Sequence, residues 1–476
     1  MTLDFAILGS GHEALVAACY LARAGRSVAV FGEAHDSALA ARTVRGCDDV
    51  FWSVAPEDLG LLHDSVLEEL ELAKHGLASR AWPVFAVAGV DALPLCGTEA
   101  PSSLGRVFAD AAALRRRLEG LLTAPFGEAE LAHFALDPEL LAQASLSVEE
   151  QLSTEVPPTA AEALRVLGTW GQQLSPVDQG TGLLLSLQIA GAAGPRDHRT
   201  ATTIDSGLVA SLERCAEAAG VERRSSANGL WLEGGEVLGV RTGDETVAAT
   251  HVLSSFDARR TYLDWVGRRH LPLELVRALE STRYRSGLAR LAVLLDGDVA
   301  PPRSDCVRWI VAEPGTADHA CEQARSARQA QRPWLDVTWT SSATEGSAPS
   351  GTTLLTVSAQ SFSYALSDQR DRGAIEALLL ARLSVVVPEI GERLLECELV
   401  LPEDLEERFG WTEGHLHGGE MGLDQLFALR GRGPDLRPSH EWLSGLELCS
   451  GSVHPGGLTL GLVGRSCAAR HLEAEP

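Results

Sequence analysis

Three clusters of residues in this chain have the types and spacing that chemistry needs. The first, Gly9-Ser10-Gly11-His12-Glu13-Ala14, follows a short apolar run and opens an alanine-rich segment. In a GxGxxA turn of this kind Gly9 permits the tight bend, Gly11 lets the backbone approach a pyrophosphate, and the small Ala14 lets helix and strand pack closely. A helix starting there offers unpaired N–H groups and its positive dipole end to the phosphates. Glu33 stands past the next apolar run, where an acid accepts from ribose hydroxyls, and a bulge at Gly32 would bring it into place. The second cluster, His454-Pro455-Gly456-Gly457, lies in LELCSGSVHPGGLTLGLVGRSCAA. Its glycines allow backbone to meet a planar group, its proline fixes the turn, and an imidazole can move a proton near neutral pH. The third comprises His415, His417 and Glu420. The two histidines alternate as on a strand and would share one face, and with Glu420 they are candidates for proton transfer.

These residues need elements to hold them. Asp4 to Leu8 reads as a buried parallel strand, a helix follows to about Ala24, and Ser27 to Phe31 is a second strand, which together make a βαβ unit. Near the other end, a strand, a glycine- and histidine-containing turn and a small-residue helix follow one another. Between them, LRVLGTW and residues 105–122 have helical spacing, while LARLAVLLDG and GTTLLTVSAQ read as strands.

The 476 residues suffice for two or three domains, and 45% of them are apolar. With 40 basic against 65 acidic residues the net charge is −25, so nucleic-acid binding is not expected. The nine cysteines occur singly, without CxxC pairs, and suggest neither a zinc site nor a disulfide framework. Reduced thiols fit a cytoplasmic protein. Asp4 to Leu8 reads as a first strand, so no basic leader is expected, and the longest apolar stretches, such as Leu183 to Ala193, are too short to span a bilayer. No integral membrane segment is expected.

GSGHEALVAACYLARAG at one end and CSGSVHPGGLTLGLVGRSCAARHL at the other resemble the two ends of phytoene-desaturase-type flavoproteins, within the amine-oxidase-like FAD superfamily. The strings GTGLLL, VLSSFDARRTYLD and GHLHGGEMGLDQLFALRG fall in the matching order. The subgroup they resemble most is the phytoene dehydrogenase-related one, of the pyridine nucleotide-disulfide oxidoreductase domain-containing protein 2 type. The resemblance implies an α/β fold: a Rossmann-like FAD-binding domain built from discontinuous segments, with an inserted substrate domain of mixed sheet and helices. Its FAD-binding pieces would be residues 1–75, 195–265 and 435–476, with a helical substrate part at 76–194 and a sheet-containing part at 266–434.

By the same resemblance FAD is the cofactor, held by Gly9, Gly11, Ala14, Glu33, Arg42, Gly229, His454, Pro455, Gly456 and Gly457, with His454, His417 and Glu420 as catalytic candidates. No metal is implied, although two histidines and a glutamate could form a ligand set. The chain departs from the family where a Gly-Gly pair meets the pyrophosphate, since Leu39 and Ala40 stand there, and at a second glycine-rich contact only Gly207 survives. Arg42, Arg196 or Arg199 could replace lost contacts by a charged fork. Lys74, the single lysine, lies outside any flavin-facing motif, which disfavours lysine-assisted amine oxidation.

The implied activity is FAD-dependent dehydrogenation, or desaturation, of an organic substrate in a cavity between the domains, the substrate being a small molecule or one linked to a carrier or peptide. A carotenoid is unforced, because mean hydropathy is +0.02. Two alternatives stay open: a cofactor-free binding or scaffold protein with a degenerated FAD site, and a redox-neutral FAD-dependent isomerase. A protein partner or a second copy of the chain, and the electron acceptor, are equally open.

Overall fold

The computed structural model describes residues 2–33, 36–56, 58–88, 91–95, 100–123, 137–152, 154–191, 194–195, 197–243, 245–426, 430 and 443–473. Strand β1 (Leu3–Leu8) reads LDFAIL and is buried at every residue but Asp4. It lies between parallel neighbours, β2 (Val28–Phe31) and Glu245–Ser254, which cover both of its edges and account for its almost unbroken apolar run. Helix α1 (His12–Arg23) returns the chain from β1 to β2. Its Ala14, Ala17 and Ala18 press on Phe5, Ile7, Val28 and Val30, while Leu15, Val16 and Cys19 face a second core.

The full order of this sheet is Glu222–Arg224, β2, β1, Glu245–Ser254, Glu236–Thr242, Gly229–Glu233, with Leu446–Leu448 also paired to Glu245–Ser254. Three separated stretches of chain thus build one sheet, the discontinuous α/β arrangement expected. The expected break at 434/435 lies outside the described residues, as does Arg196. The C-terminal helix Leu462–Glu473 crosses α1 at Gly464, where a Cβ would come 2.4 Å from the Glu13 carbonyl oxygen.

A second seven-stranded sheet runs Leu394–Val400, Ala289–Asp296, Thr352–Ala359, Leu335–Trp339, Arg308–Val311, Val84–Ala88, Asp91–Pro94. It is antiparallel except where Arg308–Val311 pairs Val84–Ala88. Side chains alternate across a pleat. One face carries Leu291, Val293, Val337 and Val357 into a core with Ile375, Leu379 and Leu383 of helix Arg372–Leu383. The other face carries Arg290, Arg308, Asp336, Thr338, Thr356 and Ser358. Helices Leu104–Thr123, Pro158–Thr169 and Thr181–Ile189 lie within the 76–194 stretch expected to be helical, but its first part forms strands, Ser79–Trp82, Val84–Ala88 and Asp91–Pro94.

The segment around His415 and His417 is turns rather than the expected strand. Gly410, Gly414, Gly418 and Gly419 all take positive φ there, a conformation that breaks any pleat. Among the described residues no helix is long and apolar enough to cross a membrane.

Candidate functional site

A cavity of about 500 Å³ is walled by residues of both sheets. At one end stands the glycine turn. Gly9 has φ +86°, and a Cβ there would lie 2.4 Å from Ser255 Oγ, so no larger residue fits. Gly11 is the N-cap of α1, with no side chain bonding the first-turn N–H groups, and a Cβ on it would meet nothing within 4 Å. Its backbone therefore faces open space at a helix N-terminus, the arrangement that binds anions. Glu13 also lines the wall, but its carboxylate accepts from Gly461 N–H at 2.9 Å and Gly464 N–H at 2.6 Å, so its charge is directed at the start of the C-terminal helix. Ala14 is buried against the sheet and acts through packing alone.

Past β2 the acid at the wall is Asp36 rather than Glu33. Glu33 is exposed; its carbonyl accepts from Ser10 Oγ–H at 2.6 Å and its N–H donates to Asp36 Oδ2 at 2.9 Å. Ser226 Oγ–H donates to the same Asp36 oxygen at 2.9 Å. Ser226 and Ala227 line the cavity, and Gly229 lies beyond them, paired with Arg241. Leu39 lines the wall and Ala40 does not. Arg42 stands behind it: its guanidinium stacks 4.6 Å from the Phe409 centroid and donates to the Ser37 carbonyl at 2.9 Å. Arg199 is also turned away, donating to Ser79 Oγ at 2.9 Å.

The second expected cluster divides. Gly457 lines the cavity, whereas His454, Pro455 and Gly456 stand behind the wall. His454 is 4% exposed, and its Nε2 bonds the Leu121 carbonyl at 2.8 Å. A Cβ on Gly456 would lie 3.0 Å from Met421 and 3.2 Å from Arg430. These glycines are required by a neighbouring loop: a Cβ on Gly457 would lie 2.7 Å from His417 Cα, and one on Gly451 would lie 2.6 Å from the His417 carbonyl oxygen.

The third cluster divides too. Glu420 is fully buried away from the cavity, held by Arg283 Nε at 3.2 Å and by Arg285 Nε and Nη2 at 2.8 and 2.9 Å, so it stands as a structural ion pair. It joins no metal set with the histidines. His415 and His417 both line the cavity, ring centroids 5.9 Å apart. His415 Nδ1 accepts from the N–H groups of His417 at 3.1 Å and Gly419 at 3.4 Å, which leaves the proton on Nε2, a buried donor with no protein partner. His417 is the opposite tautomer: Nδ1–H donates to the Gly457 carbonyl at 3.2 Å and Nε2 is an acceptor with no protein partner. Burial pushes the His417 imidazole down to about 4 and the His415 imidazole well below its usual value. Both are neutral at physiological pH.

At the far end lies the polar face of the second sheet, which sequence reading missed. Arg308 forks onto Asp336 at 3.0 and 2.8 Å and also reaches Asp58 at 3.1 Å, which His198 Nδ1 meets at 3.0 Å. Burial works to raise the Asp58 carboxyl, but His198 and Arg308 hold it well below the usual range. The one available signal was a lone charge inside each of the apolar strings LARLAVLL and LDVTW.

No family model matches the chain. It is 25% identical over 550 aligned residues to the rat pyridine nucleotide-disulfide oxidoreductase domain-containing protein 2, covering 98% of this chain and 92% of that protein. Among solved structures it superposes on putrescine oxidase bound to putrescine with TM-score 0.65 at 16% identity, covering 99% of each chain. Cyclohexylamine oxidase from Brevibacterium oxydans gives TM-score 0.61 at 12% identity, covering 99% of this chain and 100% of that one. From end to end, this chain is similar to the pyridine nucleotide-disulfide oxidoreductase domain-containing protein 2 type and has the amine-oxidase-like fold.

Proposed function

We propose that the chain is an FAD-dependent oxidoreductase that dehydrogenates a polar organic substrate held between its two sheets. The observation that carries this reading is a single cavity that begins at the Gly9–Gly11 turn and ends on the polar face of the second sheet. The residues present fit FAD: Gly11 offers bare backbone and open space at a helix N-terminus, and buried imidazole nitrogens without protein partners stand further along the same wall. The rat relative's name and the oxidase neighbours point the same way.

Bound there, FAD would supply two-electron redox chemistry. Gly9, Gly11 and the first-turn N–H groups of α1 would hold its phosphates, and Asp36, in place of Glu33, would accept from its ribose. His415 Nε2–H is a fixed donor and His417 Nε2 a fixed acceptor, so the neutral pair orients polar atoms of a bound group. Trp52, Trp170 and Trp411 line the cavity and exclude water around the reacting atoms. The face that receives the substrate carries hydroxyls and charges, which suits a polar compound better than a hydrocarbon.

The test is an absorbance spectrum of the purified chain before and after heat release of any ligand. Flavin bands in stoichiometric amount are expected. A colourless chain that also fails to take up added FAD would overturn the reading and favour a cofactor-free binding protein, for which the Leu39 side chain at the cavity wall is the supporting observation.

A further inference from the structure

At the substrate end of the cavity lies a buried cation to which no carboxylate is hydrogen-bonded, the Asp336 charge acting on it only across space. Arg290 is 3% exposed on an otherwise apolar strand. Its Nε–H donates to the Val54 carbonyl at 2.8 Å, Nη1 donates to Ser358 Oγ, and Nη2 reaches the Ser53 carbonyl at 3.5 Å. The guanidinium carbon lies 5.8 Å from the Trp52 centroid. Every one of these partners is neutral. Each Nη carries two hydrogens, so one N–H on each is left over beside the cavity.

The nearby acids are committed elsewhere. Asp336 accepts a fork from Arg308 and a bond from Trp170 Nε1 at 3.2 Å, and Asp58 accepts from Arg308 and from the Gly60 and Arg199 N–H groups. Two arginines and two aspartates balance in number, yet both aspartates bond Arg308 and neither bonds Arg290. A buried charge without a direct counter-ion is costly, and it is retained where an incoming group completes it. Burial lowers the guanidinium only to about 10, so it stays charged at neutral pH. Thr356 lies one pleat along the cavity face and adds a hydroxyl to the same pocket.

We propose that Arg290 is the anion-recognition residue of this cavity, and that the substrate carries a carboxylate which forks onto its Nη groups. The inference deepens the oxidoreductase reading by naming the substrate class, and its test does not depend on turnover. Thermal protection of the purified chain is titrated with acetate, benzoate, phenylacetate and indole-3-acetate, each against its neutral amide, while the flavin spectrum of the same sample is recorded separately. At least one carboxylate should bind about tenfold or more tightly than its amide, as expected for a charge-assisted pair in a buried site. Arg290→Gln should bring that preference to near unity, and Arg290→Lys should keep part of it. If no pair shows a preference in the wild type, or if Arg290→Gln retains it, the proposal is overturned. A preference that survives Arg290→Gln would place the anion elsewhere, as at the α1 N-terminus. Should Arg290→Gln fail to fold, the wild-type titration and Arg290→Lys still decide. A colourless sample that takes up no added FAD yet shows the preference would sink the flavin reading and leave this one standing.

Discussion

Gly464→Ala tests how tightly the C-terminal helix is pressed on the helix that carries the glycine turn. A Cβ at this position would lie 2.4 Å from the Glu13 carbonyl oxygen, 2.9 Å from Val16 Cβ and 3.1 Å from Ala17 N. Two opposing effects set the magnitude. Replacing glycine by alanine inside a helix gains about 1 kcal/mol of intrinsic propensity. Overpacking a buried contact costs about 1–3 kcal/mol. Two of the three atoms struck belong to backbone and cannot rotate aside, so the cost sits at the upper end, and the net loss is about 2 kcal/mol. The same displacement pulls the Gly461 and Gly464 N–H groups away from the Glu13 carboxylate, a pair of charge-assisted bonds. Urea unfolding followed by tryptophan fluorescence should show a lowered midpoint, with FAD retention weakened in step because α1 moves. A variant as stable as the wild type, or more so, would refute the reasoning, since propensity would then have outweighed a contact that is not there.

Gly11→Ala should behave in the opposite way. Its Cβ meets nothing in the protein, so the cofactor-free chain should lose only the difference between glycine and alanine at an N-cap, about 1 kcal/mol or less, while retention of FAD falls about tenfold or more because the methyl occupies the phosphate approach. For His417 the folded imidazole titrates near 4, below its unfolded value of about 6.5. The unfolded state therefore binds more protons between those values, and stability present above pH 6.5 is lost as pH falls, by about 3 kcal/mol at most. Unfolding midpoints at pH 7 and pH 5 should differ accordingly, and His417→Gln should narrow the difference; an unchanged difference would count against it. His454→Asn, which removes the bond to the Leu121 carbonyl, should cost about 1 kcal/mol and leave the pH dependence of flavin reduction by substrate unmoved; a shifted profile would put His454 back in the site.

What the sequence disclosed follows from how local each feature is. The βαβ unit was legible because the form of its turn is local: Gly9 takes a positive φ in the bend itself and Gly11 caps the helix that follows at once. The HPGG segment misled for a related reason. Its glycines are required by close approach, but the approach is to His417 and Arg430, distant in the chain, and no local pattern tells that from approach to a ligand. Glu33 and Asp36 are three residues apart, and which of them faces the cavity depends on a bend after β2 that composition does not fix. Arg290, Arg308, Asp336, Asp58 and His198 meet only through the pairing of strands and the seating of a distant loop. Arg290 and Asp336 appear in the sequence as lone charges in apolar strings, His198 and Asp58 stand among other charged residues, and only the pleat shows that the charges on the second sheet share a side.

The first sheet carries a further consequence for how the molecule comes into being. β1 ends at Leu8, yet its partner on one edge begins at Glu245, and one of the two strands on that partner's far side begins only at Leu446. At a ribosomal rate of about 5–20 residues per second, the nascent β1 waits roughly 12 to 50 s for that edge to be covered, and the sheet closes later still. For that interval an apolar strand with a free edge is in contact with the cellular environment, where a passing chaperone is its natural companion. The wall of the cavity at the Gly9 turn is therefore completed by residues that leave the ribosome long after the turn itself.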